Sequence, residues 1–250
     1  MLRNRLVTVL TFNEGVLFRT KLFHPDYRYT SNFVDTWSVD EIVMLDVTRP
    51  QDNGTVNREL FLESLRRIAR RCFVPIAAGG GIRTMDDVRR MMNAGADKVV
   101  VNTGAIERPE LITEVAESHG AQCAVLSIDA ARTAAGHEVR STFGAKPTGL
   151  KPAEWAKRGV ELGAGEIFLT SIDQDGSLSG YDLELCSEVA GGVSVPVLIS
   201  GGAGSWQHFV DGVKRGGAAA VCTSNIYHFT ETSLKSAKQF MARAGISVRV

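Results

Sequence analysis

The chain has 250 residues and balances 28 basic against 28 acidic side chains, for a formal net charge of zero with neutral histidine. That balance argues against a general nucleic-acid or membrane-surface binder. No apolar stretch is long enough to span a bilayer and the first residues carry no signal-peptide core, so a cytoplasmic location is expected. The four cysteines (Cys72, Cys123, Cys186 and Cys222) lie far apart in apolar runs or helices, which reads as reduced core thiols.

Short β-branched runs alternate with amphipathic stretches along the whole chain. Strands are predicted near 6–10, 42–47, 74–78, 98–102, 124–129, 167–171, 195–200 and 219–223. Helices are predicted over 58–71, 85–94, 109–119, 152–162, 183–190, 206–215 and 233–244. A short helix near 33–37 is the expectation for the stretch after strand one, the least regular part of the sequence. Apolar strands each followed by a helix indicate a parallel sheet covered on its outside. Eight such units use up the chain as one α/β domain over 1–250, a (βα)8 TIM barrel.

Two glycine-rich turns belong to one repeated pattern. The first is Ala78-Gly79-Gly80-Gly81-Ile82-Arg83, followed by Asn102-Thr103-Gly104; the second is Ser200-Gly201-Gly202-Ala203-Gly204, followed by Thr223-Ser224-Asn225. Val74-Pro75 precedes one turn and Val195-Pro196 the other. Gly95 and Gly216 sit at matching depth downstream. Bare glycine backbone lets N–H groups approach an anion, and a helix N-terminus adds positive partial charge. Two copies imply two phosphate cradles, suited to a ligand with a phosphate at each end. The repeat extends further: Leu10-Thr11 ends strand one where Ile128-Asp129 ends strand five, so the halves read as duplicated four-unit blocks.

With these motifs the chain resembles the cyclase subunit of imidazole glycerol phosphate synthase. The resemblance covers nearly the whole length and is densest from Ala78 onward. Gly95-Ala96-Asp97-Lys98-Val99, Ser127-Ile128-Asp129-Ala130, Lys146-Pro147-Thr148-Gly149-Leu150, Asp173-Gln174-Asp175-Gly176 and Gly180-Tyr181-Asp182 carry it alongside the two turns. It implies a bis-phosphate substrate, a phosphoribulosyl-formimino aminoimidazole carboxamide ribotide. It also implies ammonia from a glutaminase partner in a heterodimer, and no cofactor or metal. By position, Gly80, Gly81 and Thr103 would hold one phosphate, and Gly201, Gly202 and Ser224 the other. Asn102, Thr170 and Asp175 would line the mouth between them, and Arg19 would stand where the family has a lysine.

The catalytic pair departs from that pattern. The family uses aspartates at the ends of strands one and five as general acid and base. Asp129 is present, but strand one carries Thr11, which orients by hydrogen bonding and does not ionise near neutrality. Losing one acid–base partner typically costs about 10²–10⁴ in rate. Glu14 compensates only if its loop folds back over the mouth.

At the opposite rim Arg5, Glu41, Lys98 and Glu166 open strands one, two, four and six. Spacing alone reads as strand-start salt bridges. The resemblance makes them the charged ring around the opening that passes ammonia, with Asp97 on the surface facing the glutaminase. Two functions are therefore open. One is the histidine-pathway cyclase, with Asp129 as main catalytic residue and Thr11 or Glu14 compensating. The other is a divergent paralogue, like relatives in surface-polysaccharide pathways that also lack the strand-one aspartate. Such a paralogue passes ammonia toward amidine formation on a sugar and has weak or no cyclase activity. A sugar-phosphate or aminoaldose isomerase on the same half-barrel pattern is disfavoured by Thr11 and has no need of the ring.

Other residues have plainer roles. His24, His119, His137, His208 and His228 show no metal spacing. Asp46 lines the mouth or makes a structural hydrogen bond, both readings standing at this point. Trp155 and Trp206 pack helices on the barrel, and the basic run from Arg66 to Arg71 is a solvated helix face.

Overall fold

The computed structural model describes residues 3–28, 39–50, 58–224 and 233–249; the predicted helix at 33–37 lies outside them. The chain runs β1 (Arg5–Asn13), β2 (Val16–Lys21), β3 (His24–Arg28), β4 (Glu41–Asp46), α1 (Glu59–Ala69), β5 (Ile76–Gly79), α2 (Met85–Asn93) and β6 (Lys98–Val101). It continues through α3 (Thr103–Glu107), α4 (Glu110–His119), β7 (Ala124–Thr133), β8 (Gly136–Ser141), β9 (Lys146–Pro147), α5 (Pro152–Glu161) and β10 (Glu166–Ser171). It ends with α6 (Leu183–Ala190), β11 (Val197–Ser200), α7 (Trp206–Lys214), β12 (Ala220–Thr223) and α8 (Ser233–Arg243).

Eight of these strands, β1, β4, β5, β6, β7, β10, β11 and β12, pair in parallel and close on themselves, with Arg5 opposite Ala220 and Thr8 opposite Thr223 at the seam. The result is the expected (βα)8 barrel. Side chains alternate across each strand. Val7, Val43, Val100, Val125, Phe168 and Leu198 point inward and fill the cylinder. Their neighbours Leu6, Ile42, Val99, Leu126, Ile167 and Ile199 point outward and are buried beneath the helices. Because both faces are covered, the strands read as unbroken apolar runs.

The helices begin where local chemistry supplies their first N–H groups with partners. Thr84 and Asp87 form a reciprocal capping box on α2, Asp182 accepts from the Leu185 N–H at the start of α6, and Pro152 opens α5. Among the described residues no helix is long and apolar enough to cross a membrane.

Two excursions interrupt the strand–helix alternation, and neither was expected. After β1 the chain doubles back as the antiparallel β2–β3 hairpin, so the supposedly irregular stretch is regular to Arg28. Glu14 and Gly15 make the turn with positive φ at both positions, the geometry that matches right-twisted strands. Similarly, β7 runs past the barrel rim and pairs with β8, which pairs with β9. Both excursions rise from the end of the barrel where the strands finish.

Candidate active site

The alternation that fills the barrel also sets what lies at its two ends. Counting outward by twos from Val125 gives Ser127 and then Asp129, and from Phe168 gives Thr170. Asp129 and Thr170 are direct neighbours on adjacent strands, and Thr170 in turn neighbours Ser200. Asn102, at the end of β6, donates its side-chain amide to Asp129 at 2.7 Å. Asp129 is half-buried, with its carboxyl enclosed by the mouth. That enclosure pushes its carboxyl up to about 7, with the Asp175 charge adding to the rise and the Asn102 bond opposing it. A carboxyl poised there both gives and takes a proton near neutral pH.

Thr11 lies on the same rim, 7% exposed, and its hydroxyl donates to the Phe18 carbonyl on β2. Its proton is thereby engaged in holding the first hairpin. Glu14 stands exposed in the hairpin turn, its N–H donating to Thr48 Oγ1 at 2.8 Å.

The second cradle forms a small open pocket lined by Ser200, Gly201, Gly202, Ser224, Thr20 and Asp175. Gly202 has φ +101°, and a Cβ there would meet the Gly180 carbonyl oxygen at 2.0 Å, so the close approach requires glycine. Asp175 does more than line this wall. Its carboxylate accepts from Thr20 Oγ1 at 3.1 Å and from the Phe23 N–H at 3.0 Å, while its carbonyl accepts from the Leu22 N–H at 3.2 Å. Leu22 and Phe23, both left-handed, are thus tied to the loop after β10. The Arg19 side chain lies outside the described residues; its backbone pairs with Tyr27.

The first cradle is organised differently. Thr103 begins α3 and its Oγ1 accepts the Thr142 N–H at 3.0 Å. Behind Gly80 and Gly81 lies Arg58, whose Nη1 donates to the Gly80 carbonyl at 2.6 Å and to Asp46 Oδ2 at 3.1 Å. Asp46 is buried, follows the inward-facing Leu45 and also accepts the Thr48 N–H, so it takes the structural role and does not line the mouth. Sequence reasoning missed Arg58, which it took as the start of a helix. The signal was present: arginine is a poor residue at the N-cap, where a side-chain acceptor is favoured.

At the other rim the four strand-start charges do meet. Lys98 Nζ lies 2.9 Å from Glu41 Oε1 and 2.8 Å from Glu166 Oε2; Arg5 Nη2 lies 2.9 Å from Glu166 Oε1 and Nη1 pairs with Glu41. Each cation touches both anions, giving a closed alternating ring across the barrel axis. Burial alone would lower the Arg5 pKa, but Glu41 and Glu166 overcome it and raise it. Cys222, inside the cylinder, has its thiol pushed well up by burial and by Glu41, so it stays protonated. Asp97 is exposed at this rim, and its carboxylate accepts the Ile76 N–H at 2.8 Å.

Two histidines make structural bonds. His137 Nε2 contacts the capping Asp182 at 3.0 Å, and His208 Nδ1 accepts the Gly204 N–H at 3.1 Å. Among the described residues no group of three or more His, Cys, Asp or Glu is placed to hold a metal ion. The cysteines are free; Cys186 and Cys222 are buried, and Cys72 and Cys123 are half-buried. The parallel barrel thus carries two glycine-rich turns and the enclosed Asp129 carboxyl at the ends of its strands. Residues 8–233 match the family described as Histidine biosynthesis protein, and the chain belongs to that family of barrel enzymes.

Proposed function

We propose that the chain is the ammonia-using barrel subunit of a glutamine-dependent synthase, of the imidazole glycerol phosphate synthase type but diverged at its mouth. In this reading a glutaminase docks on the rim carrying Asp97. Ammonia enters through the ring of Arg5, Glu41, Lys98 and Glu166. A phosphate-bearing acceptor sits against Gly201, Gly202 and Ser224, with Gly80, Gly81 and Thr103 holding its second anionic group. Asn102 and Thr170 flank the reacting end, and Asp129 handles the proton: ammonia adds to an electrophilic C=X carbon of the acceptor as the π pair moves onto X, Asp129 takes the proton the new C–N nitrogen sheds, and it returns that proton to X, which departs as HX as the C=N bond forms.

The observation that carries the divergence is Thr11. Its hydroxyl is bonded to Phe18, so Asp129 faces no second carboxylate from strand one. This favours delivery of ammonia toward amidine formation on a sugar, with weak or no cyclase activity. The histidine-pathway cyclase remains the second reading, favoured by the presence of both glycine cradles. An assay of the phosphoribulosyl-formimino ribotide with ammonium separates them. Turnover no faster than in Asp129→Asn supports the diverged reading; fast, Asp129-dependent turnover overturns it in favour of the cyclase. Glutamine-dependent ammonia transfer on adding a co-expressed glutaminase tests the partner, and its absence rejects both.

A further inference from the structure

The two cradles are repeats in sequence, and in each a carbonyl of the turn is tied to a neighbouring group. In the second it is the carbonyl of Gly202, the counterpart of Gly81, which accepts the Gly180 N–H at 2.8 Å. In the first, the Gly80 carbonyl is held by a cation: Arg58 Nη1 at 2.6 Å, itself bonded to the buried carboxylate of Asp46. The guanidinium lies against the turn. A Cβ on Gly81, which has φ +60°, would lie 1.7 Å from Arg58 Nη2.

A trans peptide points its C=O and the following N–H in opposite directions. Fixing the Gly80 carbonyl toward Arg58 therefore turns the Gly81 N–H away from the guanidinium. A charged donor on the carbonyl also polarises that peptide and makes its N–H a stronger donor. We propose that Arg58 is the positioning residue of the first anion cradle. Braced by Asp46, it sets the Gly80–Gly81 peptide so that the Gly81 N–H is presented to a phosphate on the opposite side. The inference rests on the reading of both glycine turns as anion cradles. It adds that the first is positioned by the Arg58–Asp46 charge pair.

The test is a titration of the full chain with inorganic phosphate, following the backbone amide resonances of Gly81 and Gly202 in one sample. Both amides shift in the wild type. In Arg58→Gln the dissociation constant read at Gly81 rises on the order of tenfold, while that read at Gly202 is unchanged. Asp46→Asn separates positioning from direct contact and stands in if Arg58→Gln does not fold. A positioning arginine loses its brace and the Gly81 site weakens; an arginine that itself grips phosphate is released from its carboxylate and the site tightens, which overturns the inference. A Gly81 response that survives Arg58→Gln also overturns it and leaves the cradle reading intact. Silence at both amides overturns the cradle reading and the inference together.

Discussion

Asn102 holds Asp129 by a 2.7 Å hydrogen bond that works against everything else acting on that carboxyl. Enclosure in the mouth and the Asp175 charge favour the protonated form, and the Asn102 amide favours the ionised one, leaving the carboxyl at about 7. Asn102→Ala removes the restraining bond, so the pKa of Asp129 rises above its wild-type value. A carboxyl carbon titration by NMR reads it directly. The limb of the activity profile that requires ionised Asp129 moves to higher pH with it.

The same carboxyl makes the fold less stable as the solution becomes alkaline. Its folded pKa lies above the ordinary aspartate value near 4, so between those two values the folded chain binds more protons than the unfolded one. Stability from this group is fully present below about pH 4 and is lost as pH rises through about 7. A shift of about three units corresponds to about 4 kcal/mol as an upper figure. Asp129→Asn therefore melts higher than wild type at pH 8, and the gap narrows toward pH 5. A gap that does not change with pH contradicts the assignment.

The ring at the opposite rim is balanced as a unit. Lys98 touches both Glu41 and Glu166, and Glu41 is 1% exposed. Lys98→Met leaves two buried carboxylates facing one arginine and costs about 3–5 kcal/mol in urea unfolding. Adding Glu41→Gln restores one anion to one cation and recovers much of that loss. An additive double variant would mean that the four groups do not form one network.

How much of this was legible in the sequence follows from the range of each interaction. The barrel strands declared themselves because both faces are buried, and α6 was placed at both ends because Asp182 and Gly191 flank it. The salt bridges of Arg5, Glu41, Lys98 and Glu166 were placed by position, since residues at strand starts must share a rim, while their closure into a ring was implied by the resemblance alone. The hairpins were not read. β2 needs the Glu14–Gly15 turn, and its alternation is short and half polar, so it carries a weak periodic signal. Asp46 could not be assigned because the choice hinged on whether it faced inward, and that depends on a one-residue register. The Asp175 bonds to Thr20 and Phe23 join segments more than 150 residues apart, which local spacing does not encode.

Thr11 has a structural bond and no proton to give. Its hydroxyl donates to Phe18, so Thr11→Val removes one hydrogen bond and costs about 1 kcal/mol of stability. Ammonia-dependent turnover, on whichever acceptor is used, stays within about twofold of wild type. A tenfold loss would mean that the hydroxyl orients a reacting group after all.

Asp175 latches the β2–β3 hairpin across the mouth. Leu22 and Phe23 adopt φ of 51° and 62°, a region that costs side-chain-bearing residues roughly 1–2 kcal/mol each. The carboxylate bonds to Thr20 and Phe23 offset that cost. Asp175→Ala removes both carboxylate bonds and keeps the backbone bond from Leu22 to the residue 175 carbonyl. Amide hydrogen exchange at Phe23 then accelerates on the order of 10–100-fold, as expected for losing about 1–3 kcal/mol locally. Ile199, in the barrel wall, exchanges as before. The substitution also removes a negative charge from the wall of the second cradle, so inorganic phosphate binds more tightly at Gly202. Faster exchange at Phe23 with weaker phosphate binding would instead make Asp175 a contact that the anion needs.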